Sequence, residues 1–66
     1  MPPNERLRLA RQLRGLSGYE LARRVGVSRD VVRRWEKGEV NPCLGSLARL
    51  CRALEVSADW VLGLED

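Results

Sequence analysis

An all-α fold of five short helices is the architecture that this 66-residue sequence predicts. No segment alternates apolar and polar residues with a period of two, and β-branched residues do not cluster as they do in strands. The apolar residues recur instead at helical spacing, in segments of about 8–12 residues that Ser, Gly, Asn or Pro separates. A chain this short has room for one domain, so we expect residues 1–66 to form a single compact unit.

The first two helices are predicted over about residues 4–15 and 17–25, and each ends at a glycine. Asn4 follows two prolines and is the expected N-cap of the first helix. Ser17 and Glu20 have the spacing of a capping box at the start of the second. The residues predicted to face inward are Leu7, Leu9, Ala10 and Leu13 in the first helix, and Leu21, Ala22 and Val25 in the second.

The third helix is predicted to begin at Ser28 and to end at Gly38. At 100° per residue its charged side chains fall within an arc of about 140°, and its apolar side chains fall on the other side. The charged residues are Arg29, Asp30, Arg33, Arg34 and Lys37, and the apolar residues are Val31, Val32 and Trp35. One face is therefore predicted to pack and the other to remain in solvent.

Two further helices follow the break that Asn41 and Pro42 make in the chain. The fourth is predicted over about residues 43–55, and Ser57 is the expected N-cap of the fifth. The residues predicted to face inward in the fourth helix are Leu44, Leu47, Ala48, Cys51 and Leu54, and the apolar residues of the fifth are Trp60, Val61 and Leu64. Trp60 fits either the core or a subunit interface.

The net charge of +3 is unevenly distributed along the chain. Residues 1–38 hold ten basic and four acidic residues, a balance of +6, whereas residues 39–66 hold two basic and five acidic residues, a balance of −3. A basic half of this kind indicates a surface for a polyanion such as nucleic acid. The alternative is a solvated surface that is rich in arginine and has no such partner.

The inventory of reactive residues argues against an enzyme. There is no histidine, and the two cysteines, Cys43 and Cys51, lack metal-binding spacing, so we expect no metal, no cofactor and no His-based catalysis. Eight residues along a helix span roughly 12 Å, too far for an internal disulfide. Free thiols indicate a reducing, cytoplasmic location, with an intermolecular disulfide through Cys43 left open. Neither a membrane span nor a secretory signal is predicted.

Residues 17–38 have the organisation of a helix-turn-helix, with a turn of about three residues between two helices. Ala22 is small where the two crossing helices approach, and Gly26 permits the positive φ of a tight turn. Val31, Val32 and Trp35 would anchor the second helix, which leaves its charged face free for the major groove of DNA.

Several short segments, spread along most of the chain, match a known family both in their residues and in their spacing. They are Gly15-Leu16-Ser17, Glu20-Leu21-Ala22, Gly26-Val27-Ser28, Trp35-Glu36-Lys37-Gly38, Asn41-Pro42, Leu47-Ala48 and residues 53–60. Over roughly residues 5–64 the sequence resembles the Cro and phage-repressor type of helix-turn-helix proteins, also called the xenobiotic-response-element family. The resemblance implies a five-helix DNA-binding domain of a dimeric transcription regulator, a repressor, from a prokaryote or phage.

The resemblance also implies roles for individual residues. The expected base-reading residues are Ser28, Arg29, Asp30, Arg33 and Arg34; the expected phosphate contacts are Ser17, Gly18, Tyr19 and Lys37. Arg11 and Glu36 occupy the positions of a structural ion pair in the family. Asp30 and Arg34 also have the i,i+4 spacing of an ion pair that stabilises a helix. Asp30 is therefore either a base-reading residue or a residue that stabilises the helix.

Three residues depart from the family pattern. Gly18 stands where a glutamine commonly touches phosphate, so only its backbone N–H can contribute there. Cys43 replaces the serine that commonly caps the fourth helix, and Gly45 weakens the first turn of that helix by up to about 1 kcal/mol. These changes bear on one DNA contact and on the rigidity of the region between the third and fourth helices.

The expected partners are double-stranded DNA and a second copy of the chain. Leu44, Trp60, Val61 and Leu64 are the candidate dimer residues, taken as exposed apolar side chains. An antitoxin-like module that binds a partner protein as well as DNA is the alternative, and the same residues would then serve that protein. A third reading is a domain that binds DNA without sequence preference. We expect a cytoplasmic, nucleoid-associated protein.

Overall fold

A computed structural model describes residues 1–65 and contains five helices and, over that range, no strand. The helices are α1 (Pro3–Leu13), α2 (Gly18–Val25), α3 (Arg29–Lys37), α4 (Leu44–Leu54) and α5 (Ala58–Leu62). The predicted five-helix, all-α fold is therefore confirmed. Asp66, which the sequence counts with the acidic half, lies outside the described residues. None of the described helices has the length and hydropathy needed to cross a membrane.

The start of α1 differs from the prediction. Its N-cap is Pro2 rather than Asn4, because Pro3 takes a first-turn position where its missing N–H costs no hydrogen bond. Asn4 lies within the helix, and its Nδ2 donates to the Glu36 backbone oxygen at 3.1 Å. The Asn4 side chain thus joins the first helix to the third.

The end of α1 corrects a second expectation. Leu13, predicted to face inward, is 75% exposed. The helix ends there, and the chain turns through Gly15 in a left-handed conformation, with φ of 70°. This turn brings Leu16 into the core in place of Leu13.

The core lies where α2 packs against α3 and α4, and where α1 packs against α3 and α5. Leu21 on α2, Val32 on α3 and Leu54 on α4 are among its most completely buried side chains. Val61 on α5 closes it from the remaining side and is 1% exposed. Each helix contributes its apolar face, which is the arrangement that the helical spacing predicts.

The buried face of α4 is rotated from the one predicted. Ser46 and Leu50 are buried with Leu54, whereas Leu44 and Ala48 are exposed. The stripe i, i+4, i+8 that packs against α2 and α5 therefore begins at a serine rather than at Leu44. A small polar residue holds this buried position because Cys43 Sγ donates to the Ser46 hydroxyl at 3.4 Å.

A left-handed C-cap ends α4 without a glycine. Glu55 has φ of 56°, a conformation in which residues other than glycine are strained. Arg14 supports it, because its Nε donates to the Leu54 backbone oxygen at 2.8 Å and its guanidinium lies 3.4 Å from the Glu55 carboxylate. The end of α1 therefore holds the end of α4.

Candidate nucleic-acid interface

The turn between α2 and α3 sets the direction of α3. Gly26 has φ of 82°, and its N–H and that of Val27 both donate to the Ala22 carbonyl, at 2.8 and 3.0 Å. Ser28 caps α3, with its hydroxyl accepting from the Val31 N–H at 3.2 Å. Because both ends of a short turn are hydrogen-bonded, α2 and α3 form one rigid helix-turn-helix.

α3 is divided into a buried and an exposed face. Val32 and Trp35 are buried in the core, which makes Trp35 a packing residue rather than a stacking platform. The exposed residues are Ser28, Arg29, Asp30, Arg33, Arg34 and Lys37. The predicted base-reading residues therefore lie together along one accessible side of the helix.

Asp30 holds two of the arginines on this face. Its Oδ1 accepts from Arg33 Nε and Nη2 at 3.1 and 2.9 Å, and its Oδ2 lies 2.9 Å from Arg34 Nε. The hydrogen bond from Arg33 is the main reason why the pKa of Asp30 lies below its ordinary value of 3.8. Both readings of Asp30 remain compatible with this geometry, since its side chain is also exposed.

Arg29 differs from its neighbours on α3. Within residues 1–65 its guanidinium takes part in no ion pair, whereas Arg33 also lies 3.8 Å from Glu39. Arg29 stands at the first position of the helix, next to the turn. Its donors are therefore free to bind an external acceptor without breaking a contact within the protein.

The N-terminus of α2 lies beside this face. Ser17 completes the predicted capping box: its hydroxyl accepts from the Glu20 N–H and its own N–H donates to the Glu20 carboxylate, both at 3.0 Å. The hydrogen bond from the Ser17 N–H to the carboxylate is the main reason why the pKa of Glu20 is lowered. Gly18 shares a surface depression with Arg29 and Arg33, and a Cβ at Gly18 would meet no atom within 4 Å. The first-turn N–H groups of Gly18 and Tyr19 are left without helical partners.

Arg11 and Glu36 form a bidentate ion pair that fastens α3 to α1. Arg11 Nε and Nη2 donate to the Glu36 carboxylate at 2.7 and 2.9 Å, and the two side chains are only 17% and 10% exposed. Arg11 Nη1 also donates to the Leu16 carbonyl at 2.9 Å. The hydrogen bond to Glu36 raises the pKa of Arg11. The bond from Asn4 to the Glu36 backbone is the part of this network that sequence patterns did not reveal.

The candidate dimer residues are divided between the surface and the core. Leu44 is 85% exposed and Leu64 is also exposed. Val61 was expected with them, but this is wrong, because α5 turns its side chain into the core. Trp60 is half-buried: Arg6 lies over its ring, 5.3 Å from the centroid, and donates to its backbone oxygen at 2.9 Å.

An apolar groove runs beside these residues and was not foreseen from the sequence. Pro3 from α1, Pro42 from the loop, Leu44 from α4 and Leu62 from α5 are among the residues that line it. Leu62 is exposed, although it is part of the helix whose Val61 is buried. Adjacent apolar residues in a one-turn helix give too weak a periodicity to tell which one faces inward.

The two cysteines are free and differ in environment. Cys43 is exposed at the N-cap of α4, where its thiol makes no capping bond to the backbone, and its pKa is lowered chiefly by the neighbouring Ser46 hydroxyl, which can donate to the thiolate. Cys51 is half-buried, and burial raises its pKa. Over residues 1–65, no three cysteine or acidic side chains come together in a group that could hold a metal ion.

Comparison with known sequences identifies relatives. A family model described as Helix-turn-helix matches residues 7–61. The uncharacterized HTH-type transcriptional regulator YobD of Bacillus subtilis (strain 168) is 34% identical over 62 residues, which make up 94% of this chain and 55% of YobD. The chain thus spans about half the length of that curated relative.

Three solved structures share the fold. The P22 c2 repressor in complex with synthetic operator 9T has a TM-score of 0.93 and 31% identity over 98% of both chains. The restriction-modification controller protein C.AhdI from Aeromonas hydrophila has a TM-score of 0.85 and 32% identity over 91% of both chains. The SinR protein/SinI protein complex has a TM-score of 0.84 and 26% identity over 96% of this chain and 66% of the other.

The matched region includes the capping box of α2, the turn at Gly26 and the whole of α3. It also includes both members of the Arg11–Glu36 pair. The family suggested by the sequence is confirmed by the model match and the solved neighbours together. This chain therefore belongs to the helix-turn-helix family of the Cro and phage-repressor type.

Proposed function

We propose that this chain is a sequence-specific, double-stranded DNA-binding transcriptional regulator, a repressor, that reads the major groove with α3. The observation that carries the proposal is the two-faced organisation of α3: Val32 and Trp35 are fixed in the core while a row of charged side chains faces solvent. The major groove is about 12 Å wide and admits a helix presented in this way. Similarity to a repressor crystallised with an operator supports the assignment.

Base reading is assigned to the exposed face of α3. Arg29 is the principal reader, because its guanidinium forms no ion pair within residues 1–65 and can bind guanine O6 and N7 together. Arg33 and Arg34 first have to leave Asp30, so their contacts with DNA replace existing ion pairs. Asp30 positions these two arginines and can accept from cytosine N4 once they are released. The Ser28 hydroxyl, while accepting from Val31, still has its own proton to donate to a base.

Phosphate binding is assigned to the start of α2 and the end of α3. The unpartnered N–H groups of Gly18 and Tyr19 suit a phosphate oxygen, and the helix dipole favours negative charge there. Ser17 supports them by holding the first turn through its capping box. The Lys37 ammonium group binds the phosphate backbone of DNA, a contact that does not depend on base sequence.

The active unit that we propose is a homodimer joined through Leu44, Trp60 and Leu64 beside the apolar groove. Exposed leucines around a groove are typical of surfaces that become buried on association. Two-fold symmetry would place the recognition helices about 34 Å apart, matching successive major grooves of a near-palindromic site. Sedimentation of the protein with and without DNA tests this, and a monomer under both conditions would refute it.

The antitoxin-like alternative is not favoured, because the similar proteins are a transcriptional regulator, a repressor and a controller protein. A protein partner in addition to DNA remains part of the proposal, since one structural neighbour was solved in a complex with another protein. We further propose that the protein has no catalytic activity. Two free thiols fit a reducing compartment, and we place the protein in the cytoplasm at the nucleoid.

Selection from a pool of random duplex DNA at about 150 mM salt tests the central proposal, since non-specific binding weakens steeply with salt. We expect enrichment of an inverted repeat whose half-sites lie about one helical turn apart. Binding without enrichment, which fades as salt rises, would refute sequence-specific reading. The selected site also allows each α3 residue to be tested against a single base position.

A further inference from the structure

The fold brings together three arginines that are distant in the sequence. Arg24 on α2 and Arg49 and Arg52 on α4 line one surface depression, together with Ala53. All three arginine side chains are exposed. We refer to Arg24, Arg49 and Arg52 as the α2/α4 arginine cluster. Arg49 and Arg52 are the two basic residues of the acidic half of the sequence, so folding moves them to a basic surface.

No carboxylate among the described residues forms an ion pair with the α2/α4 arginine cluster. Within residues 1–65 the ion pairs use Arg11, Arg14, Arg33 and Arg34, and none uses a member of the cluster. Glu20 is close enough to Arg24 for a weak electrostatic effect but forms no ion pair with it. Arg49 and Arg52 lie three residues apart on the same face of α4, a spacing at which like charges repel. A bound anion would relieve that repulsion.

The cluster lies outside the face that α3 presents. On α2, Gly18 borders α3, since it shares a depression with Arg29 and Arg33. Six residues further along the helix, Arg24 is rotated by about 120° from Gly18 and borders α4 instead. DNA lying against α3 therefore leaves the α2/α4 arginine cluster on another side of the domain.

The lining of the depression identifies the kind of anion. Three guanidiniums offer planar, bidentate donors that match phosphate oxygens. Ala53 is the one apolar residue among the lining side chains, so the depression lacks the apolar centre of a protein–protein interface. It also has no aromatic ring on which an unpaired base could stack.

We propose that the α2/α4 arginine cluster is a second binding surface for the phosphate backbone of duplex DNA, outside the segment that α3 contacts. The inference rests on the proposed function only in requiring that the protein binds DNA. The additional DNA is either a flank of the same duplex or a second duplex, and both present the same phosphates. The domain would then hold more DNA than its recognition helix covers.

The test compares the wild type with the triple variant Arg24→Gln, Arg49→Gln, Arg52→Gln on two duplexes. The short duplex contains only the selected site, or an arbitrary sequence of the same length if the selection enriches no site. The long duplex contains the same sequence with about 15 additional base pairs on each side. We expect the triple variant and the wild type to bind the short duplex with equal affinity. If the cluster binds a flank of the same duplex, the variant should bind the long duplex at least about tenfold more weakly than the wild type does. The slope of log K against log salt should fall by about 0.9 for each lost phosphate contact.

A second arm detects a separate duplex. The protein is bound to an immobilised short duplex, and retention of a labelled duplex of unrelated sequence is measured. If the cluster binds a second duplex, we expect the wild type to retain the labelled duplex and the triple variant to lose it. The inference is overturned if the triple variant matches the wild type in both arms. It is equally overturned if affinity falls by the same factor on both duplex lengths, because that is an effect of net charge.

Two control variants keep the result specific to the α2/α4 arginine cluster. Arg24→Lys, Arg49→Lys, Arg52→Lys retains the charge, and we expect it to retain most of the salt dependence. Arg29→Gln, Arg33→Gln, Lys37→Gln removes equal charge from α3, and we expect it to weaken binding to both duplex lengths. Thermal melting checks that each variant folds. Wild-type protein that binds no DNA would overturn both proposals, whereas failure of the cluster test alone leaves the proposed function intact.

Discussion

Two sets of arginine–carboxylate contacts on α3 have the same chemistry and different surroundings. Glu36, on the side that meets α1, binds Arg11 in a pair whose side chains are 17% and 10% exposed. Asp30, on the outer side, binds Arg33 and Arg34 with side chains that are 46–56% exposed. Water screens the outer set, so its contribution to folding is small, while the inner pair is strongly coupled to the fold.

The difference indicates a division of labour within one short helix. The inner pair is bidentate and is extended by hydrogen bonds to Leu16 and from Asn4, so it fixes the position of α3 on the domain. The outer set holds Arg33 and Arg34 in defined orientations at little cost to release. Substitutions in the inner pair should therefore change folding, whereas substitutions on the outer side should change DNA binding.

The largest effect is expected from Glu36→Gln. This change leaves Arg11 largely buried without its counter-charge, and breaking a buried pair costs about 3–5 kcal/mol. Because both side chains retain some access to water, we expect the free energy of unfolding to fall by about 2–3 kcal/mol. Denaturant unfolding measures it.

The matched control for this change is Glu55→Gln, which removes a carboxylate from the exposed pair with Arg14. We expect a loss below about 1 kcal/mol there. Equal losses in the two variants would mean that burial does not distinguish the inner pair, and the comparison would fail.

The next effect is expected from Arg29→Ala, on DNA affinity rather than on folding. Loss of a bidentate contact with guanine should cost about 1–3 kcal/mol on the selected site and relax one base position. The melting temperature should stay near that of the wild type, since Arg29 is exposed and unpaired among the described residues. Lys37→Ala provides the contrast: it should weaken all sequences alike. Identical behaviour of the two variants would contradict the separation of base readers from phosphate contacts.

A smaller effect is expected from Asp30→Asn. Removing the carboxylate frees Arg33 and Arg34, so affinity for random-sequence DNA should rise severalfold. The ratio of affinity for the selected site to affinity for random-sequence DNA should therefore fall. Titration of both DNAs by fluorescence anisotropy measures the ratio. Glu39→Gln removes the same charge 3.8 Å from Arg33 and should leave that ratio almost unchanged. Loss of preference at one cytosine alone would instead assign Asp30 to direct base reading.

The smallest effect is expected from lowering the pH, which weakens the contribution of the exposed Asp30 ion pairs to stability. The folded pKa of Asp30 lies below its usual 3.8, mainly because of its hydrogen bond from Arg33. The ion pairs therefore add stability above about pH 3.8 and lose it as the pH falls through the folded value. An NMR titration of the Asp30 carboxyl carbon should show this depressed midpoint, and Arg33→Gln should move it upward. A midpoint unaffected by Arg33→Gln would contradict the assigned cause.

Local patterns predicted much of the fold and of the candidate site. The capping box at Ser17, the cap at Ser28 and the left-handed turn at Gly26 all lie where the sequence places them. These features depend on contacts between residues at most five positions apart, so a short sequence window contains all the information. The exposed face of α3 follows from the same helical periodicity.

Features that depend on how helices meet were harder to predict. Asn4 was expected to cap α1, but it reaches across to Glu36 instead. Leu44 was expected both inside and at an interface, and the rotation of α4 leaves it exposed. Val61 and Leu62 are neighbours of similar hydrophobicity, and the packing of α5 on α1 decides which of them is buried.

The sequence by itself determined five helices, the caps at Ser17, Ser28 and Ser57, the tight turn and a charged face on α3, because each follows from short-range periodicity and hydrogen bonding. Only the tertiary structure decided which leucines remain at the surface and how Arg11, Glu36 and Asn4 fasten α3 to α1. It also decided that Arg49 and Arg52 meet Arg24. These outcomes depend on the rotation of each helix against its neighbours, which is set by the packing of the whole core and not by any one segment.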